Sequence, residues 1–120
     1  MSKSDAEHHE QAALIEWYDW QYPHSVPILA IPNGGHRHIA VAVKMQREGV
    51  RPGVPDLLLP IARGGWHGLW IEMKTTSGRL SKVQRQWRDM LTAEGYRVEL
   101  CRGFDEARAV IEGYLGASDN

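Results

Sequence analysis

The sequence predicts an α/β domain: one mixed central β-sheet flanked by helices. Three observations carry that prediction. The hydrophobic periods along the chain run α-β-α-β-β-α-β-α, an order that one helix-flanked sheet satisfies. The chain has 120 residues, room for one domain. Apolar residues make up 42% and charged residues 24%, the mix of a globular chain rather than a disordered one. Residues 1–6 read as a polar lead-in, 7–115 as a single domain and 116–120 as a polar tail.

The first helix is predicted over 5–20, where Ala6, Ala13, Leu14, Trp17 and Tyr18 share a side at 3.6-residue spacing. Pro23 and Pro27 break it. The apolar run 26–31 is a short strand, and Pro32-Asn33-Gly34-Gly35 is a turn. Residues 36–48 form a second helix, with Gly49 at its C-terminal end. Residues 56–61 read as a continuous apolar strand buried on both faces. Arg63-Gly64-Gly65 makes a hairpin turn into a return strand over 68–74. A helix over 80–94 follows, its core stripe formed by Val83, Trp87, Met90 and Leu91. A strand over 96–101 and an amphipathic helix over 104–115 complete the domain.

Several function classes are excluded. No run of about 18 apolar residues is present, so no membrane helix is expected. The start, Met-Ser-Lys-Ser-Asp, lacks the apolar core of a signal peptide. The single cysteine, Cys101, excludes an internal disulfide and a cysteine zinc cage, and reads as a buried small hydrophobe. A reduced, cytoplasmic protein is the expectation, and a core this small gains stability from a second copy. His8-His9 and His36-x-His38 lack the partners of a transition-metal site.

The net charge of -1 conceals a division. Residues 36–88 hold ten Lys/Arg and three acids, giving +7, whereas the remainder carries −8. Such a chain can present one positive face while staying near neutral, although Lys/Arg that merely solvate helix surfaces give the same count. Lys44, Arg47, Arg79, Lys82, Arg85 and Arg88 are the candidates for phosphate contacts. The Asn33-Gly34-Gly35-His36-Arg37 turn adds glycines that let backbone N–H groups approach a phosphate, and a guanidinium beside them.

The chemistry concentrates in Val54-Pro55-Asp56 and Ile71-Glu72-Met73-Lys74. Side chains alternate along a strand, so Glu72 and Lys74 share one face and Met73 takes the other. Charges on an apolar strand are costly unless paired or metal-bound. Antiparallel pairing across the 63–65 turn brings the Asp56 carboxylate beside Glu72, an oxygen site suited to Mg²⁺ or Mn²⁺ rather than zinc. A solvent-facing Glu72–Lys74 ion pair is the plainer alternative.

Five motifs then fall into sequence: Asn33-Gly34-Gly35-x-Arg37, Gly49-x-x-x-Gly53-Val54-Pro55-Asp56, Glu72-x-Lys74, Leu80-Ser81-x-x-Gln84-x-x-Trp87 and Gly95-Tyr96-x-Val98. Together they resemble the VRR-NUC (virus-type replication-repair nuclease) branch of the PD-(D/E)XK nucleases, over residues 7–115. The resemblance implies a restriction-endonuclease-like core and Mg²⁺- or Mn²⁺-dependent cleavage of DNA, with no organic cofactor. It implies a homodimer acting on branched DNA, four-way (Holliday) junctions in replication and repair, in a bacterial or phage setting. A nicking or flap-trimming nuclease, or an inactive DNA-binding module, is the alternative. The implied catalytic residues are Asp56, Glu72, Lys74 and Gln84. The implied metal ligands are Asp56, Glu72 and Met73, joined by an acid of the first helix. Glu7, four residues before Gln11, is favoured there, and Glu10 is the close second. The implied DNA contacts are Asn33, Gly35, Arg37, Lys44, Arg79, Lys82 and Arg85.

Overall fold

The element order read from the sequence is the one that forms. The computed structural model describes residues 5–32 and 38–117. The elements are α1 (Asp5–Gln21), β1 (Leu29–Ala30), α2 (Ile39–Arg47), β2 (Leu57–Leu59), β3 (Leu69–Lys74), α3 (Lys82–Ala93), β4 (Arg97–Arg102) and α4 (Phe104–Leu115). The sheet order is β1-β2-β3-β4. β1 to β3 pair antiparallel, and β3 pairs parallel with β4, with α3 as the connecting crossover. Arg63 and Trp66 exchange backbone hydrogen bonds around Gly64 (φ 58°) and Gly65 (φ 86°), a two-residue loop of positive φ that glycines occupy without strain.

The two sheet faces differ. Leu57, Leu59, Leu69, Ile71, Met73 and Cys101 point to one side, against Leu14 and Tyr18 of α1 and Ala107, Ile111 and Tyr114 of α4. This is the core. Tyr18 Oη donates to Val26 O at 2.8 Å and Tyr114 Oη to Ile61 O at 2.6 Å, so both buried phenols pin loops. Trp70, Glu72 and Lys74 alternate to the opposite side, where α3 lies.

Four expectations need correction. The buried stripe of α1 is Leu14 and Tyr18, while Ala6 and Ala13 are exposed, because α1 turns the Glu7-Gln11-Leu14-Tyr18 line to the sheet. The strand expected over 56–61 shortens to Leu57–Leu59 with Leu58 half-buried, since Pro60 lacks the N–H to continue it. The second helix begins at Ile39, capped by His38, whose Nδ1 accepts from Ala40 N at 3.3 Å. The stripe of α3 is not core: it buries no residue, and Val83 and Met90 stay 38% and 50% exposed. Val83 and Trp87 lie over Gly53, and Trp87 Nε1 donates to Pro52 O at 3.0 Å. The turn over 33–35 and residues 36–37 lie outside the described residues.

Burial pushes the Cys101 thiol up to about 12, with Glu99 and Glu106 adding to the shift. The folded state therefore holds its proton above the ordinary value of 9.0, where the unfolded chain loses it. Stability from this group is complete below pH 9.0 and falls as pH rises toward 12. The expected slope approaches about 1.4 kcal/mol per pH unit, read by denaturant titrations across that range. Cys101→Ala should flatten the profile, and an unchanged slope would remove the assignment.

Candidate active site

Register creates the site. β2 pairs with β3 only as far as Leu57↔Ile71, so the last residues of β3 have no strand on that edge. Asp56, just before β2, takes the place: its Oδ2 accepts from Met73 N at 2.8 Å. Ile31 N donates to Asp56 O at 2.8 Å, and buried Val54 and Pro55 hold the approach. The carboxylate is thus held on β3 and the Asp56 main chain on Ile31.

Glu72 lies on the α3 face and is 5% exposed, a burial that a carboxylate tolerates only with partners. Lys74 Nζ stands 3.9 Å from Glu72 Oε2, and the two side chains are 13% and 7% exposed. Gln84 Nε2 donates to the same oxygen at 3.3 Å. Gln84 is itself held by a capping box. Its Oε1 accepts from Ser81 N at 2.8 Å, and Ser81 Oγ accepts from Gln84 N at 3.3 Å. The start of α3 is thereby tied to the carboxylate. The turn after β3 covers the lysine stem, for a Cβ on Gly78 would come within 2.9 Å of Lys74 Cβ. A cleft of about 200 Å³ opens here, lined by Gly53, Pro55, Glu72, Leu80, Gln84 and Arg88 among others.

Of the residues expected to converge, Lys74 and Gln84 both reach Glu72 at the end of β3, and Asp56 is bonded to the same strand through Met73 N. Gln84 contacts Glu72 rather than Lys74. The acids of α1 divide. Glu10 approaches Gly103, its Oε1 lying 3.3 Å from where a Cβ would stand, and lines the groove between α1 and α4. Its face carries Ala13 and Trp17 rather than the buried Leu14 and Tyr18. Glu7 is half-buried and in line with Gln11 and Leu14. Gly103 follows the end of β4, level with Lys74, so α1 begins at the site's end of the sheet. Among the described residues no three Asp, Glu, His or Cys side chains gather into a metal cage.

The donor set still fits a hard cation. It offers two carboxylates and no nitrogen or sulfur ligand, and Mg²⁺ is commonly held by one or two carboxylates plus substrate phosphates. The Met73 side chain is buried in the core, so only its main chain could face a cation. Peptide groups alternate between strand edges, and its N–H already faces Asp56, so its carbonyl opens on that edge too.

The candidate DNA contacts that the structure describes are all exposed. Lys82 and Arg85 are exposed on α3, Arg79 precedes it, and Lys44 lies on α2. Arg85 Nη1 is engaged with Leu80 O at 2.9 Å, and Arg88 Nε with Asp89 Oδ1 at 2.9 Å. Asn33, Gly35 and Arg37 lie outside the described residues. The charge division read from the sequence is spatial. α1 and α4 carry eight acids and one arginine, whereas α3 carries three cations and one acid. Sequence reasoning overlooked the Ser81-Gln84 box as the device that holds the site. Its signature, Ser-x-x-Gln before a helical run, was readable.

The model of the VRR-NUC domain family matches residues 5–105. A solved structure titled "VRR_NUC domain protein" is similar at 32% identity and a TM-score of 0.82, covering 98% of this chain and 94% of that one. No curated protein matches the sequence. Among the described residues no helix is long and apolar enough to cross a membrane. The motifs, the mixed sheet and these likenesses agree, and the chain belongs to the VRR-NUC family of nucleases.

Proposed function

We propose that the chain is a divalent-metal-dependent endonuclease that cleaves branched DNA, four-way junctions above all, as a homodimer. The observation that supports this is the Glu72, Lys74 and Gln84 group at the end of β3, where the Asp56 carboxylate takes the place of β2 on the strand's edge. Asp56 and Glu72, with the Met73 carbonyl and Glu7 of α1, would hold Mg²⁺ or Mn²⁺. Such an ion supplies Lewis acidity toward the phosphodiester and the attacking water. Lys74 orients or deprotonates that water and stabilises charge developing on the phosphoryl oxygens. Gln84 keeps the Glu72 carboxylate aimed. Lys44, Arg79, Lys82 and Arg85 grip phosphates with little reading of sequence, so affinity falls steeply with salt. Asn33, Gly35 and Arg37 extend the same grip. Two copies would set two sites on opposed strands of a two-fold symmetric junction.

The direct test mixes purified protein with four-way junction, flap and linear duplex DNA, with and without Mg²⁺. Paired symmetric nicks in the junction, dependent on the ion, are the expected result. Single nicks on one strand would assign a nicking or flap-trimming enzyme. Inertness toward every substrate by a folded protein would overturn the catalytic reading.

A further inference from the structure

A second concavity lies on the far side of the sheet from the cleft. It opens between α1 and the start of α4, about 620 Å³ in volume, and its chemistry is the reverse of a nucleic-acid surface. Trp17, Trp20 and Phe104 form its aromatic wall, and Glu10, Glu16 and Asp105 its rim. None of these three carboxylates forms an ion pair among the described residues. The Trp17 ring is held edge-on by Tyr22 at 5.8 Å and Phe104 at 6.2 Å, so it is a fixed platform. Trp20 is 82% exposed, one turn after Glu16, and nothing in the fold requires an indole there.

The molecule itself shows what such a surface accepts. The Arg108 guanidinium stands 5.3 Å over the Trp17 ring, a cation–π contact on the edge of this groove. Arg108 also pairs with the Glu112 carboxylate at 3.5 Å, and Trp20 with Glu16 one turn before it offers a ring and a carboxylate without a cation on them. A flat guanidinium stacks on an indole and bonds a carboxylate at once, which an ammonium cannot do as well. The eight acids of α1 and α4 repel a phosphate backbone, so DNA is not the occupant.

We infer that this groove docks an arginine-bearing basic segment of a partner protein, with Trp20 and Glu16 receiving one guanidinium. The site is independent of the proposed catalysis, and the α3 face remains free for DNA while it is filled.

The test uses the full chain, ¹⁵N-labelled, titrated with a short arginine-and-leucine peptide and its lysine and glutamate counterparts. The arginine peptide should shift the indole N–H resonances of Trp17 and Trp20 and leave that of Trp87 in place. Trp20→Ala and Glu16→Gln should each weaken binding about tenfold or more while junction cleavage and melting temperature are unchanged. Both side chains lie outside the buried core, and Glu16→Gln tests the same site without removing a ring. No binding, equal binding of the lysine or glutamate peptide, or unaltered affinity in both variants would overturn the inference. So would concentration-dependent shifts of these indoles without peptide, which would make a second copy the occupant.

Discussion

Glu72→Gln is expected to lower strand cleavage by about 10³-fold while leaving DNA binding nearly intact. The substitution keeps the shape of the side chain and lets an amide oxygen accept the Gln84 hydrogen bond. It removes the negative charge that Lys74 faces at 3.9 Å. Lys74 is only 13% exposed in its side chain, so its ammonium then lacks compensation, and a stability loss of about 1–3 kcal/mol follows. Adding Lys74→Met should recover much of that stability without recovering cleavage. Melting curves and junction cleavage on the two single variants and the double variant separate the effects. Cleavage at the wild-type rate by Glu72→Gln would remove this carboxylate from the chemistry.

Gly53→Ala is expected to be the most damaging small substitution, costing about 2–4 kcal/mol. Gly53 has φ +90°, where a Cβ is strained. That Cβ would also stand 2.9 Å from both Val83 methyls and 3.0 Å from Trp87 Cδ1. α3 must lift to admit it, which stretches the Trp87–Pro52 bond and withdraws Gln84 from Glu72. Gly49→Ala is the control: φ is +108°, yet nothing lies within 4 Å, so strain alone of about 1 kcal/mol is expected. Equal melting temperatures for the two variants would show that the packing of α3 on the 52–55 bend is unimportant.

Much of this was legible in the sequence because local rules and tertiary needs coincide. The helix read over 104–115 forms over those residues, bounded by Gly103 at φ 94°. The shared face of Glu72 and Lys74 followed from strand alternation, and the approach of Asp56 to the same strand from one glycine turn. What was not legible depends on what lies opposite. Periodicity placed Val83 and Trp87 on one side of α3, but it does not say whether that side meets a sheet or a bend of chain. It likewise set Glu7 and Glu10 on neighbouring faces of α1 without telling which faces the sheet and which faces α4. The link from Gln84 to Glu72 joins residues 12 apart, and only the crossover of α3 brings them within reach.

The separation of acids and bases across the sheet makes the molecule a strong electric dipole of almost no net charge. Attraction from a distance toward a polyanion is therefore weak, but the torque on an approaching molecule is not. Encounters are oriented, with the cleft leading and the acidic helices trailing. Because the Debye length shrinks with ionic strength, added salt acts first by letting the molecule arrive tumbled.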